Sequence, residues 1–492
     1  MDVQKDYYAV LGIDPSATSQ EIKVAYRVLA RRFHPDANAA PDANERFQEL
    51  QEAYEILIDE PKRQAYDNLR QKEGLSAPQA LVFKATISHR ALAMLHEEQI
   101  LYILVEIAPG ATLEIKRLPF NLCLVLDRST SMQGVRLQRV KDATNFIIDF
   151  LDDSDVFSLV TFNDRAEVIL PAQSHVDKAF AKSRVSTIRS MGGTEILQGM
   201  LAGLNEIERW RSPDMVSHLI LLTDGQTYGG ERECLEEADA AAQRQINITT
   251  MGIGQDWNDK LLDEIARRSG GKSTYIDSAS KVTAVFRECI HTLASVVARS
   301  MELNVHLPVG VRLQESFLVS PRLERLYSEQ GRIKLGNLDA EQPLALVLEL
   351  LIDPQEAGAL HVAQLELQAD VPSLPSRHTS IKRNIEARFV NAPQEFEPVP
   401  PTIVSALGKL AIFRMQEKAI DDLERGDVEQ ASQRLETMAT RLLNIGENEL
   451  AKSALLEAGR LARTGHLSPE GRKRIRYGTR SLSMLPKEIS HD

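Results

Sequence analysis

The chain has 492 residues, a length that predicts about three domains, each large enough to bury a core. Its 58 Lys and Arg against 70 Asp and Glu leave a net charge of −12, which favours solubility and argues against general nucleic-acid binding, because an acidic chain needs a local basic patch to hold a polyanion. Cys123, Cys234 and Cys289 stand far apart with no CxxC pair, supporting neither a disulfide framework nor a zinc site, and read as buried small hydrophobes. The opening MDVQKDYYAVLG has no basic stretch leading an apolar one, and no run approaches the ~18 apolar residues of a membrane span. The expectation is a soluble, unexported, cytoplasmic protein.

The first domain, 1–70, reads as four helices from residue 5 to about 70. Ser19 can cap a helix from Gln20 to about Phe33, the loop HPDANAAPDAN follows, and Glu45 to Ile58 carries Phe47, Leu50, Tyr54 and Leu57 at helical spacing. Pro61 opens a last helix ending near Leu69. On the second helix Lys23, Arg27 and Arg31 fall at i, i+4 and i+8, a basic stripe that ends beside His34, Pro35 and Asp36. By itself this is an amphipathic bundle with a solvated basic face. The string KDYYAVLGIDPSATSQEIKVAYRVLARRFHPDAN, with FQELQEAYEILID and RQAYD after it, resembles the J domain of DnaJ-type co-chaperones over its whole length. The resemblance implies that His34, Pro35 and Asp36, with Lys23, Arg27 and Arg31, dock on a DnaK-type chaperone and stimulate its ATP hydrolysis. A stiff Pro35, a carboxylate at Asp36 and a positive face that steers toward an acidic partner suit that task. No Gly/Phe-rich stretch and no CxxCxGxG module follows, so another part of the chain must choose clients.

A polar linker, 71–79, leads to alternating strand patterns over 80–116, and a second strand-rich block covers 300–392. Isolated hairpins are marginal, so the two blocks are expected to form one antiparallel β-sandwich, with 117–299 inserted between them.

The inserted region alternates strands and helices, the signature of a doubly wound, Rossmann-like α/β domain. Its helices are read at Gly134 to Leu151, Lys178 to Ile188, Ile196 to Trp210, Arg232 to Gln245, Asp259 to Arg268 and Lys281 to Ala298. The stretch NLCLVLDRSTSMQG is its centre: the apolar run Leu122 to Leu126 reads as a buried strand that stops in a loop with Asp127, Ser129 and Ser131 at alternate positions. Carboxylate and hydroxyl oxygens just beyond a central parallel strand suit a hard divalent cation. Asp-x-Ser-x-Ser after an apolar strand resembles the metal-ion-dependent adhesion site of von Willebrand factor A domains, which often accompany sandwiches in this inserted layout. The resemblance implies that Thr194, in MGGTEI, and Asp224, in LILLTDG, complete the metal set, with Gly192 and Gly193 letting the backbone approach the ion. The expected ion is Mg²⁺, with Mn²⁺ possible in vitro, left with positive charge and an open position for a carboxylate of an unknown protein client. A metal-activated water would need a base, and no His or Glu stands at motif spacing to supply one. A fold of this type that has lost its metal usually shows substitutions at the five positions.

Gly271-Lys272-Ser273 imitates the end of a phosphate loop, but the upstream glycine would fall at Ala266 inside a helix, so it reads as the turn into the last strand. A Pro-rich linker, 393–401, precedes a helical bundle over 402–465, with Gly426, Gly446 and Gly465 at helix ends and Asp427 as a cap. The remaining 466–492 is a basic tail whose Arg472, Lys473, Arg474, Arg476 and Arg480 read as a solvated or intramolecular face. The functional expectation is a non-enzymatic J-domain co-chaperone that holds a protein client through Mg²⁺. The alternative is a metal-dependent assembly module working with a ring ATPase, the J domain being accessory.

Overall fold

The computed structural model describes residues 7–11, 13, 17–33, 43–72, 80–110, 113, 117–227, 229–374, 377–390 and 398–482. At the N-terminus stand α1 (Tyr7–Leu11), α2 (Ser19–Phe33), α3 (Ala43–Leu57) and α4 (Glu60–Lys72). They enclose Tyr7, Tyr8, Leu11, Ile22, Leu29, Leu50, Ala53 and Tyr66. The Tyr66 hydroxyl accepts the Tyr7 amide at 3.1 Å, tying the last helix to the first. The cap of α2 is Thr18 rather than Ser19. Glu21 N donates to Thr18 Oγ1 and Thr18 N donates to Glu21 Oε2, a reciprocal capping box. Helix α4 also runs to Lys72, past the expected start of the linker at 71.

The first strand block forms β1 (Leu81–Ile87), β2 (Ala91–Ala93) and β3 (Gln99–Pro109). The α/β domain follows with β4 (Phe120–Asp127), α5 (Val135–Phe150), β5 (Val156–Phe162), β6 (Ala166–Gln173), α6 (Lys178–Thr187), α7 (Ile196–Glu208), β7 (Val216–Thr223), α8 (Glu231–Gln243), β8 (Asn247–Ile253), α9 (Asp259–Ser269), β9 (Ser273–Ile276) and α10 (Val282–Ala294). Its sheet order is β6-β5-β4-β7-β8-β9, parallel except for the antiparallel edge strand β6. Every residue of the central β4 is buried. Leu122, Leu124 and Leu126 enter the core on one face, Cys123 and Val125 the core on the other, as a period of two requires.

The chain then returns through β10 (Val296–His306), β11 (Val311–Ser320), β12 (Glu324–Leu326), β13 (Ser328–Glu329), β14 (Arg332–Asp339), β15 (Leu344–Ile352), β16 (Gly358–Asp370) and β17 (His378–Val390). One sheet runs β1-β3-β15-β11-β12 and the other β13-β14-β10-β16-β17-β2. Each contains strands from both blocks, so the α/β domain is an insertion in one sandwich whose core includes Ile103, Val105, Leu303, Leu346, Leu365 and Leu367. The expected helix to Ala298 ends at Ala294 instead, and β10 begins at Val296. The β-branched pair Val296-Val297 fits a pleated surface better than a helix end.

Four helices close the described chain: α11 (Pro401–Glu424), α12 (Val428–Asn444), α13 (Asn448–Thr464) and α14 (Pro469–Arg480). Pro401 opens α11, and Asp427 caps α12 through Gln430 N. Ile403, Leu410 and Phe413 of α11 pack against Leu104, Phe317, Val319 and Val347 on the outer face of the five-stranded sheet. Helix α14 gives the expected basic tail a helical structure and selects the intramolecular alternative for its cations. Arg472 and Arg476 pair with Asp259, Arg476 and Arg480 pair with Asp263, and Lys473 is buried against the inserted domain. These cations neutralise carboxylates of α9 that are themselves buried. No helix among the described residues is long and apolar enough to cross a membrane.

Candidate metal centre and its neighbours

Strand β4 delivers Asp127 as its last residue, and a short 3₁₀ turn, Thr130–Met132, anchored by the buried Met132, carries Ser131 and has Ser129 at its N-cap. The adjacent strand β7 ends at Thr223, so Asp224 emerges beside them. Ser131 Oγ donates to Asp224 Oδ1 at 2.6 Å, and the Ser129 and Ser131 hydroxyls lie 3.0 Å apart. Since the one proton of Ser131 goes to Asp224, Ser129 is the donor between the hydroxyls. The loop carrying Thr194 is laced to this one: Thr130 N donates to Gly192 O and Met191 N to Arg128 O. Thr194 itself is buried, and a Cβ at Gly225 would stand 2.9 Å from its hydroxyl.

Asp127 is fully buried, and both its oxygens are engaged by the protein. Oδ1 accepts Ser129 N at 2.7 Å and Oδ2 accepts Thr223 Oγ1 at 2.6 Å. Burial pushes its carboxyl up to about 6, against the lowering effect of these hydrogen bonds and with a further push from Asp224. Asp127 holds the loop in place through these bonds, and the hydroxyls stand beside Asp224 Oδ1, which keeps a lone pair beyond the one that accepts from Ser131. Such a set, neutral hydroxyls with one carboxylate oxygen, has the chemistry a hard cation takes. Among the described residues no three His, Cys, Asp or Glu side chains are grouped to hold a metal. The set here contains two carboxylates.

The fold thus brings Asp127, Ser129, Ser131, Thr194 and Asp224 together at the carboxyl ends of the two central strands. Thr223 and Arg136 also belong to it, and neither was legible: Thr223 reads as the end of an apolar strand, and Arg136, which pairs with Asp224 at 2.6 Å, reads as a solvated helix residue. Gly192 also has a steric role. At φ +75 it clears Asn163 and Asp164, whose side chains a Cβ would strike.

At the other candidate site Lys23 and Arg27 are exposed on α2, with Val24 and Val28 exposed beside them. Arg31 belongs to α2 by its backbone, its side chain lying outside the described residues, as do His34, Pro35 and Asp36.

Three family models match the chain. Residues 6–67 match the DnaJ domain, 121–288 the von Willebrand factor type A domain and 401–485 the Sll0103-like C-terminal alpha-helical domain. The chain is similar to the uncharacterized protein sll0103 of Synechocystis, 29% identical over 395 residues, which cover 78% of this chain and 93% of that one. It is also similar to the chaperone protein DnaJ of Roseiflexus sp., 50% identical over 78 residues, 16% of this chain and 21% of that protein. The solved von Willebrand factor type A protein from Catenulispora acidiphila shares its fold with a TM-score of 0.68 at 19% identity, over 83% of this chain and 99% of that one.

Proposed function

We propose that this protein is a J-domain co-chaperone that stimulates a DnaK-type ATPase and presents to it a protein client held at a Mg²⁺-dependent site on the von Willebrand factor A domain. It needs no catalytic activity of its own. The observation that carries the reading is the hydrogen-bonded line Ser129–Ser131–Asp224 at the ends of two adjacent parallel strands, on a chain that also bears a DnaJ domain. Ser129, Ser131, Thr194 and Asp224 would hold the ion, Asp127 would orient the loop, and the ion would supply a positive centre for an anionic oxygen of the client. Hydroxyls held at the ends of central strands reduce the ordering cost of binding. On the J domain, Lys23 and Arg27 present positive charge toward an acidic chaperone surface, with His34, Pro35 and Asp36 following.

The test is affinity capture with the full chain in Mg²⁺, in EDTA, and with Asp36→Asn and Ser129→Ala, read by mass spectrometry. A DnaK-type chaperone lost with Asp36→Asn, beside a second protein lost in EDTA and with Ser129→Ala, is the expected result. A set of bound proteins indifferent to EDTA would sink client binding through metal, and unaltered chaperone ATPase stimulation by Asp36→Asn would sink the co-chaperone half.

A further inference from the structure

We infer that Arg136 is a positioning residue of this site: its guanidinium takes one oxygen of Asp224, leaves the other to the ion, and so sets how tightly metal binds and how much positive charge remains for a ligand. The inference rests on the metal reading proposed above and deepens it. Arg136 Nη1 donates to Asp224 Oδ2 at 2.6 Å, while Asp224 Oδ1 accepts from Ser131. The same Nη1 lies 3.4 Å from the Ser131 carbonyl. On the far side the guanidinium rests against Gly254, which has φ +75 and where a Cβ would come 3.2 Å from Nη2. Gly254 is fixed in turn, because its carbonyl accepts Trp257 Nε1 at 3.0 Å. The guanidinium is thus located by a carboxylate, a carbonyl and a glycine wall.

Two consequences follow. Each oxygen of the two carboxylates accepts a hydrogen bond, Asp224 Oδ1 from Ser131, Asp224 Oδ2 from Arg136 and the Asp127 pair from Ser129 N and Thr223, and only the donor at Oδ2 is a cation, which draws the Asp224 charge away from the ion. Carboxylates supply most of the affinity for a hard cation, so this arrangement binds metal weakly. Two carboxylates and one guanidinium also leave these groups with one negative charge, so a divalent ion keeps net positive charge and draws an anionic ligand oxygen. Arg136 exchanges metal affinity for ligand affinity.

The experiment is titration of the full chain with Mn²⁺, free ion being read by electron paramagnetic resonance. Wild type is compared with Arg136→Gln, Arg136→Met, Arg136→Lys and Ser129→Ala, after thermal melts in EDTA establish that each is folded. Removing the guanidinium in either neutral variant should tighten Mn²⁺ binding about tenfold, because a like charge leaves the ion's neighbourhood. Arg136→Lys, which keeps the charge, should stay within about twofold of wild type. Ser129→Ala should weaken binding. Unchanged or weaker binding by both neutral variants, with wild type still binding, overturns the role of Arg136 and leaves the metal reading standing. No binding by wild type and none gained in the neutral variants overturns the metal reading itself.

Discussion

Lys473, from the last described helix, lies with its ammonium 4.1 Å from the centroid of the Trp257 ring in the inserted domain and donates to the carbonyls of Trp257 and Gln255. Only 1% of the residue is exposed. The segment it grips, 255–257, follows Gly254 and so adjoins the wall behind Arg136. Lys473→Met should leave two carbonyls without their donor and remove a cation–π contact, costing about 2–4 kcal/mol. Urea unfolding followed by tryptophan fluorescence measures it. A change under about 0.5 kcal/mol would mean that α14 docks through its arginines alone.

A second anchor joins the helical domain to the sandwich. Arg414 of α11 pairs with Glu315 and Glu349, and Arg325 pairs with Glu315 and Glu417, with both guanidinium groups 4.8 Å from the Phe317 ring centroid. Glu349 is 5% exposed. Arg414→Met should therefore cost about 3 kcal/mol, mostly by leaving the Glu349 carboxylate buried without a partner. Adding Glu349→Gln should recover a good part of that loss. Additive losses in the double-mutant cycle would show that the two side chains are not coupled.

What was legible in the chain follows the range of the interactions involved. Leu122 to Leu126 reads as a buried strand because five adjacent side chains carry that signal, and the repeating strand and helix patterns around it place the α/β domain between two strand blocks. Asp127, Ser129 and Ser131 are read from one loop. Arg136 was not, because its partners Asp224 and Gly254 lie just beyond the ends of β7 and β8, far along the chain, and its own neighbours make it an ordinary helix residue. The helical form of α14 was missed for the same reason, and the choice between a solvated and an intramolecular face for Arg472, Arg476 and Arg480 is made only when Asp259 and Asp263, some two hundred residues earlier, are brought against them. Thr18 and Ser19 are equally good caps by type, and only the return bond from Glu21 selects Thr18.

Burial of His218 on β7 predicts an acid-side loss of stability. Its Nε2 lies 2.9 Å from Thr249 Oγ1, and burial holds its pKa down to about 4, below the ordinary value near 6.5. The unfolded chain takes up this proton first as pH falls. Stability from the neutral ring is fully present above about pH 7 and declines between about 6.5 and 4, by at most ~1.4 kcal/mol per unit and about 3 kcal/mol in all. Urea midpoints at pH 7.5 and 5 should differ more for wild type than for His218→Gln. Equal differences would assign the acid sensitivity to other groups.

Gly225 offers the most local test of whether the Thr194 hydroxyl belongs to the metal set. A Cβ at this position would stand 2.9 Å from Thr194 Oγ1 and 3.6 Å from its Cβ, closer than side chains settle without one of them moving. The backbone at 225 is anchored, since its N–H donates to Thr223 Oγ1, the hydroxyl that holds Asp127. Thr194 is the part free to yield. Gly225→Ala should then push its hydroxyl off the site while Ser129, Ser131 and Asp224 keep their hydrogen bonds. The expected outcome is Mn²⁺ affinity reduced about tenfold, near the effect of Thr194→Ala, with stability lowered by about 1–2 kcal/mol from the crowding. If Thr194→Ala weakens the metal and Gly225→Ala does not, the threonine can rotate clear and still ligate. If neither does, the ion rests on the first loop and Asp224 alone, and the second loop serves only to hold the first in place.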